Sequence, residues 1–179
     1  MQTIEFEIRC ANRSDADDLA AAHVDSIHSI GALFYQVEIV NDWSALLKGD
    51  IYVKAMERGE VFYIAVGHTD GNKHEVLGFS SHRVEEGEHR TAIYVRGKAA
   101  RFGIGSALFR SAEAVAIAAG ATSIRVDASL AAVEFYKANG FDEIGRGEHR
   151  LWSGRPMPCV FMRKTLAASL ESASNSGCT

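Results

Sequence analysis

No apolar run in this chain approaches the length needed to cross a bilayer. The opening Met1-Gln2-Thr3-Ile4-Glu5 also lacks the basic and then apolar pattern of an export signal. Cysteine is scarce. Cys10, Cys159 and Cys178 stand far apart with no C-x-x-C, which fits free thiols in a reducing compartment better than a disulfide framework. Neither sign of charge dominates: nineteen basic against twenty-three acidic residues leave −4, with no global pull toward nucleic acid or an anionic membrane. Internal repeats and domain-length linkers are missing as well. What the chain does have is apolar surface, 47% of 179 residues, enough to bury one real core. The expectation is one cytoplasmic domain over 1–165 and a flexible, small-residue tail over 166–179.

Taken in order, Phe6/Ile8 alternate with Glu7/Arg9 as a first strand, and Asn12 to Asp15 offer helix caps. Leu19, Ala22, His23, Ser26, Ile27 and Ile30 follow at helical spacing. Weaker helical stretches cover about 36–47 and 50–58. Val61–Val66 and Val76–Val84 read as hairpin strands around a polar turn at 68–73, with Arg90–Val95 as the next strand. A helix over 103–119 should carry Ile104, Leu108, Val115 and Ala118 or Ala119 on one face, with Gly120 as its C-cap. Strand 123–128, helix 130–138 and strands 141–144 and 157–162 complete the list. This order predicts an α/β fold, a mixed sheet with helices on both faces.

The centre of the pattern is Thr91–Leu108, T-A-I-Y-V-R-G-K-A-A-R-F-G-I-G-S-A-L. A strand, a glycine-bearing basic turn and a helix N-terminus together make a phosphate cradle, because the first helical N–H groups have no intrahelical partner. Neither G-x-G-x-x-G nor G-K-[ST] is present: Leu108 stands where the third glycine would be. A tight packing turn explains the same glycines equally well.

A second stretch, Phe135-Tyr136-Lys137-Ala138-Asn139-Gly140-Phe141, adds to this one. In this order and spacing, the glycine turn and the F-Y-x-x-x-G-F helix end resemble the GNAT superfamily of acetyl-coenzyme A-dependent N-acetyltransferases. The C-terminal H-R-L-W-S-G-R-P-M-P-C-V-F-M-R-K and the Tyr35…Trp43 region resemble a bacterial subgroup. The resemblance implies a mostly antiparallel sheet of six to seven strands, splayed at the cofactor site. It also implies acetyl-coenzyme A bound by Ile93, Tyr94, Val95, Lys98, Arg101, Phe102, Gly103, Ile104, Gly105, Ser106, Ser129 and Tyr136. One departure stands out: the family's Gln/Arg position falls on Ala100. Arg101 and Lys98 are expected to supply the missing charge.

By the same resemblance, a substrate amine attacks the thioester directly, and amides near Val95 polarise the carbonyl. Tyr136 is the candidate acid for the leaving thiolate; a tyrosine packed under the sheet is the alternative. His89, with Glu88 beside it, is the candidate base, weighed against a solvated strand start. Alternation puts His89 on the Thr91/Ile93/Val95 face and Glu88 on the other. Tyr35, Trp43, His149 and also Trp152 are candidate substrate residues, each equally explained by packing or exposure. His23 and His28, five apart, share no helix face, and no metal is expected. The expected partner is a small-molecule or peptide amine, with no nucleic acid and no membrane; a homodimer stays open. The alternatives are a longer acyl donor, a non-catalytic acyl-coenzyme A sensor and a nucleotide-binding protein.

Overall fold

A computed structural model describes residues 4–69 and 73–167. Seven strands form one sheet: β1 (Phe6–Cys10), β2 (Val61–Thr69), β3 (Lys73–Glu85), β4 (Glu88–Val95), β5 (Ser123–Ser129), β6 (Asp142–Arg150) and β7 (Pro156–Thr165). Among the described residues five α-helices accompany them: α1 (Ala16–Ser29), α2 (Val37–Ser44), α3 (Gly49–Glu57), α4 (Ile104–Ala118) and α5 (Val133–Ala138). The spatial order is β1-β2-β3-β4-β5-β7-β6. Every neighbouring pair is antiparallel except β4–β5, which is parallel and registers at one position, Arg90 opposite Arg125. Beyond Arg90 the two strands separate, as expected for a splayed sheet. The short expected turn at 68–73 falls partly outside the described residues, as does the tail from 168 onward. Leu166 is buried, and its N–H bonds to Thr122 O at 2.9 Å.

Strand alternation assigns the two faces. In the β3–β4 register Phe79 opposes Tyr94, Ser81 opposes Ala92 and Arg83 opposes Arg90. Phe79 joins Leu19, Ala22, Tyr52, Phe62 and Ile64 in a core under α1 and α3, with Tyr94 packed against it. On the other face Ser80 Oγ donates to Leu108 O at 2.9 Å, and a bulge opposite Ala65 and Val66 turns Leu77 to this face too, against Ile104 and Leu108 of α4. Burying an aromatic such as Phe79, 2% exposed, contributes about 3 kcal/mol.

Two expectations need correction. The buried stripe of α4 is Ile104, Leu108, Phe109, Ala112 and Ala116; Val115 is half-buried and Ala118 and Ala119 are exposed. The i+4 steps that follow the sheet pass those residues by. Strand β6 runs on to Arg150, well beyond Ile144. It pairs only with β7 at the sheet edge and is mostly exposed, so its polar, glycine-interrupted sequence shows little apolar alternation.

The first helix starts where its caps were expected. Asn12 Oδ1 accepts from Ser14 N–H, and Asp15 accepts from Asn12 N–H at 2.8 Å. Arg9 grips Asp15 at 2.7 Å, holding that carboxyl below its usual range.

Candidate active site

The opening between β4 and β5 continues into a cleft of about 370 Å³ on the α1/α3 face. Its floor includes Phe79, Ser81 and Arg83 of β3, Arg90 to Tyr94 of β4, and Asp127 to Ser129 of β5. His23, Trp43 and Tyr52 wall it from α1, α2 and α3, and His149, Trp152 and Met157 from the β6–β7 hairpin.

At the inner end stands Tyr136, 4% exposed, packed edge-on against Phe135 and Phe141. Burial pushes its hydroxyl pKa upward, and the main-chain amide of Ile93 beside it offsets part of the rise. Arg96 N–H bonds to Leu77 O at 2.8 Å on the β3 side. By alternation the Val95 and Ile93 amides then turn toward the opening. The Ile93 amide and a protonated phenol thus meet where the strands part, with the Val95 amide turned the same way two residues on.

The turn after β4 is braced from below. Arg96 donates to Val76 O at 2.7 Å, and Gly97 N–H donates to Asp25 Oδ1 at 2.9 Å. A Cβ on Gly97 would meet Ser29 at 2.5 Å, so α1 fixes a glycine there. Arg101 and Gly103 take left-handed φ values of 71° and 81°. Inside α4 the first main-chain bond is Ala107 N–H to Gly103 O, at 3.0 Å. The amides of Ile104, Gly105 and Ser106 precede it and have no intrahelical acceptor. Unpaired donors at a helix N-terminus are what an anion requires, and these do not depend on the Ala100 side chain. Lys98 is bound to Glu75 at 2.6 Å, whereas Arg101 is exposed and makes no ion pair among the described residues. Gly105 also serves packing: a Cβ there would meet the Phe135 ring at 2.9 Å.

A family model described as an acetyltransferase (GNAT) domain matches residues 43–165. The chain belongs to the GNAT acetyltransferases. Among solved GNAT structures, a GCN5-related N-acetyltransferase from Rhodopseudomonas palustris shares 26% identity at a TM-score of 0.76, over 93% of this chain and 98% of that one. PaiA N-acetyltransferase from Thermoplasma acidophilum, solved with coenzyme A, shares 18% at 0.68, over 90% and 99%. The yncA protein from Salmonella typhimurium, solved with acetyl-CoA, shares 17% at 0.63, over 97% and 99%. No curated protein sequence matches the chain.

In this GNAT domain Ile93, Tyr94, Ser129, Tyr136, Trp43 and His149 all line the cleft, and so does Trp152. The Ile104 side chain is buried under the sheet, leaving its amide to face the turn; Phe102 and Ser106 sit at the same loop and helix start. Tyr35 serves a different contact. Its hydroxyl donates to Pro158 O and accepts from Leu130 N–H, each at 2.7 Å, and its ring packs with Ile27, Val40, Leu151 and Met157.

His89 and Glu88 do not line the cleft. His89 lies on the α4 face, 3.0 Å from His82 Nε2, with the sheet between it and the cleft. Glu88 shares the cleft's face but is paired with Arg125 at 3.0 Å and Arg163 at 3.3 Å. The titratable groups that do line the cleft are His23, Tyr52, Arg58, Glu60, Arg83, Arg90, Tyr94, Asp127, Tyr136 and His149. Sequence reading passed over most of them, although the Arg83/Arg90 pairing follows from the hairpin register and Tyr52, Ala55 and Arg58 stand at helical spacing. Among the described residues no three His, Cys, Asp or Glu side chains gather as a metal site, and no helix is long and apolar enough to cross a membrane.

Proposed function

We propose that this chain transfers an acetyl group from acetyl-coenzyme A to a primary amine, by direct attack while both substrates are bound. The observation that carries the reading is the Tyr136 hydroxyl beside the Ile93 amide, where the β4–β5 opening meets the cleft. Acetyl-coenzyme A supplies an activated thioester. The amides of Ile104, Gly105 and Ser106 would take its pyrophosphate, with Arg101 adding charge from the same loop. The Val95 and Ile93 amides would hydrogen-bond the acetyl oxygen as it gains charge.

The remaining work is proton handling. The amine nitrogen forms a bond to the carbonyl carbon as the carbon–sulfur bond breaks, and Tyr136 gives its proton to the departing sulfur. The ammonium proton leaves through the cleft, where Glu60, Asp127 and His149 stand. Thermal unfolding tests the cofactor. Acetyl-coenzyme A at ~100 times its Kd should add about 2.7 kcal/mol of stability, while ATP and NAD add none. No shift would overturn the reading.

Ala100 favours one second reading, an acyl-coenzyme A sensor without turnover, since the loop then binds chiefly through its backbone. Stabilisation by acetyl-coenzyme A with no acetylation across an amine panel would select it.

A further inference from the structure

Among the described residues, one ring of the cleft wall has a polar atom without a partner. His23 Nε2 is buried and unpaired among those residues, while Nδ1 of the same ring lies 2.7 Å from Tyr52 Oη. Tyr52 is buried, and burial with Tyr94 and Glu60 nearby raises its pKa, so it keeps its proton. Among the described residues that hydroxyl has no acceptor except Nδ1. It therefore donates to the ring, and the neutral imidazole carries its own hydrogen on Nε2. The result is a buried N–H donor with no acceptor among the described residues, an unfavourable state that a ligand oxygen would relieve.

The ring that carries this donor lines the aromatic end of the cleft. His23 lies 3.6 Å from Tyr94, centroid to centroid, and edge-on to Trp43 and Phe79. That end adjoins the β4–β5 opening. Four residues away along both strands, the floor changes character at Arg83 and Arg90, with Arg58 also in the lining. Their carboxylate neighbours are Asp127, 2.6 Å from Arg90, and Glu60, 3.7 Å from Arg83; Glu85 bridges both arginines at 3.3 Å from outside the lining. Arg58 makes no ion pair among the described residues, and each guanidinium has five donors to satisfy.

The spacing between the two ends sets a length. Four strand residues span roughly 14 Å, shortened by the reach of the arginine side chains. An extended peptide advances about 3.3–3.6 Å per residue, so two or three residues cover roughly 7–11 Å. A single α-amino acid, with amine and carboxylate on one carbon, is too short.

We propose that the acceptor is a short peptide of two or three residues with a free N-terminal amine and a free C-terminal carboxylate. The amine lies at the Ile93–Tyr94 opening and the first carbonyl accepts from His23 Nε2–H. The first side chain packs on Trp43 and Phe79, and the carboxylate meets Arg58 and Arg83. This deepens the acetyltransferase reading and rests on it.

The test compares Phe-Ala-Ala with its C-terminal amide, which differ at that end in charge. The free acid should have at least a tenfold higher kcat/KM, the size of one charge-assisted contact. Arg58→Gln, at an exposed residue without an ion pair, should shrink that ratio severalfold, and Arg83→Gln should do the same. Free phenylalanine should be a poor acceptor. Equal rates for acid and amide, an unchanged ratio in both variants, or preference for free phenylalanine would overturn the proposal. Calorimetry of acid and amide peptides on the acetyl-coenzyme A-free protein decides independently of turnover: the acid must bind more tightly, and equal or no binding overturns the peptide assignment. Failure of acetyl-coenzyme A to stabilise the protein would instead overturn the acetyltransferase reading.

Discussion

At the scale of single residues, burial decides which titratable groups can act. Tyr136 is nearly enclosed, and its raised pKa keeps the hydroxyl protonated beyond pH 10. Tyr136→Phe should therefore lower kcat by ~10²-fold or more while acetyl-coenzyme A still stabilises the protein. Steady-state kinetics beside thermal unfolding checks this, and unchanged turnover removes Tyr136 from the mechanism. The same shift means that no alkaline fall in kcat below pH 10 should arise from Tyr136. His23 shows the opposite sign. Burial lowers its pKa from 6.5 to about 3, so the unfolded chain binds this proton first. Its stability contribution is present above pH 6.5 and is lost as pH falls toward 3. Between pH 6.5 and 5 the loss is roughly 2 kcal/mol. His82, lowered by burial and by His89, acts in the same direction, so the informative quantity is the difference between wild type and His23→Gln. Denaturant unfolding at several pH values should show a shallower acid slope in the variant.

At the scale of elements, two contacts set the walls of the site. Tyr35 ties the α1–α2 connection to Leu130 and Pro158, and so holds β7 beside the end of β5. Tyr35→Phe removes both bonds and should cost about 1–3 kcal/mol, measured by urea unfolding. It should also raise KM for the amine, because Trp43 and the β6–β7 hairpin face each other across the cleft. Gly105 lets α5 approach α4. Gly105→Ala pushes on the Phe135 ring, next to Tyr136, and should cost ~1–3 kcal/mol with a fall in kcat. Unaltered kcat in that variant would show that α5 absorbs the push without moving the phenol.

At the scale of the whole molecule, the site exists because the one parallel strand pair among the described residues registers at a single position. Antiparallel neighbours zip along their length, whereas β4 and β5 meet at Arg90 and Arg125 and then part. The gap leaves the Ile93 and Val95 amides unpaired by β5; Tyr136 reaches it from the α4/α5 side, and the cleft opens from it on the α1/α3 side. That arrangement explains why candidates chosen along one strand divided. Ile93 and Tyr94 reach the opening, while His89, four to five residues earlier and on the α4 face, pairs with His82 instead.

The sequence by itself determined the order of elements, the glycine turn at 103–105, the caps at Asn12 and Gly120, and the helix end at Asn139-Gly140. Each is a local signal, fixed by periodicity, by left-handed φ or by a short motif. Only the tertiary structure decided the contents of the cleft. His23, Tyr52, Glu60, Arg83 and Asp127 come from five different elements or their edges, and no local pattern joins them. Packing also reassigned Tyr35 from the expected pocket to a two-bond brace, because a buried hydroxyl must find partners wherever the neighbouring backbone offers them.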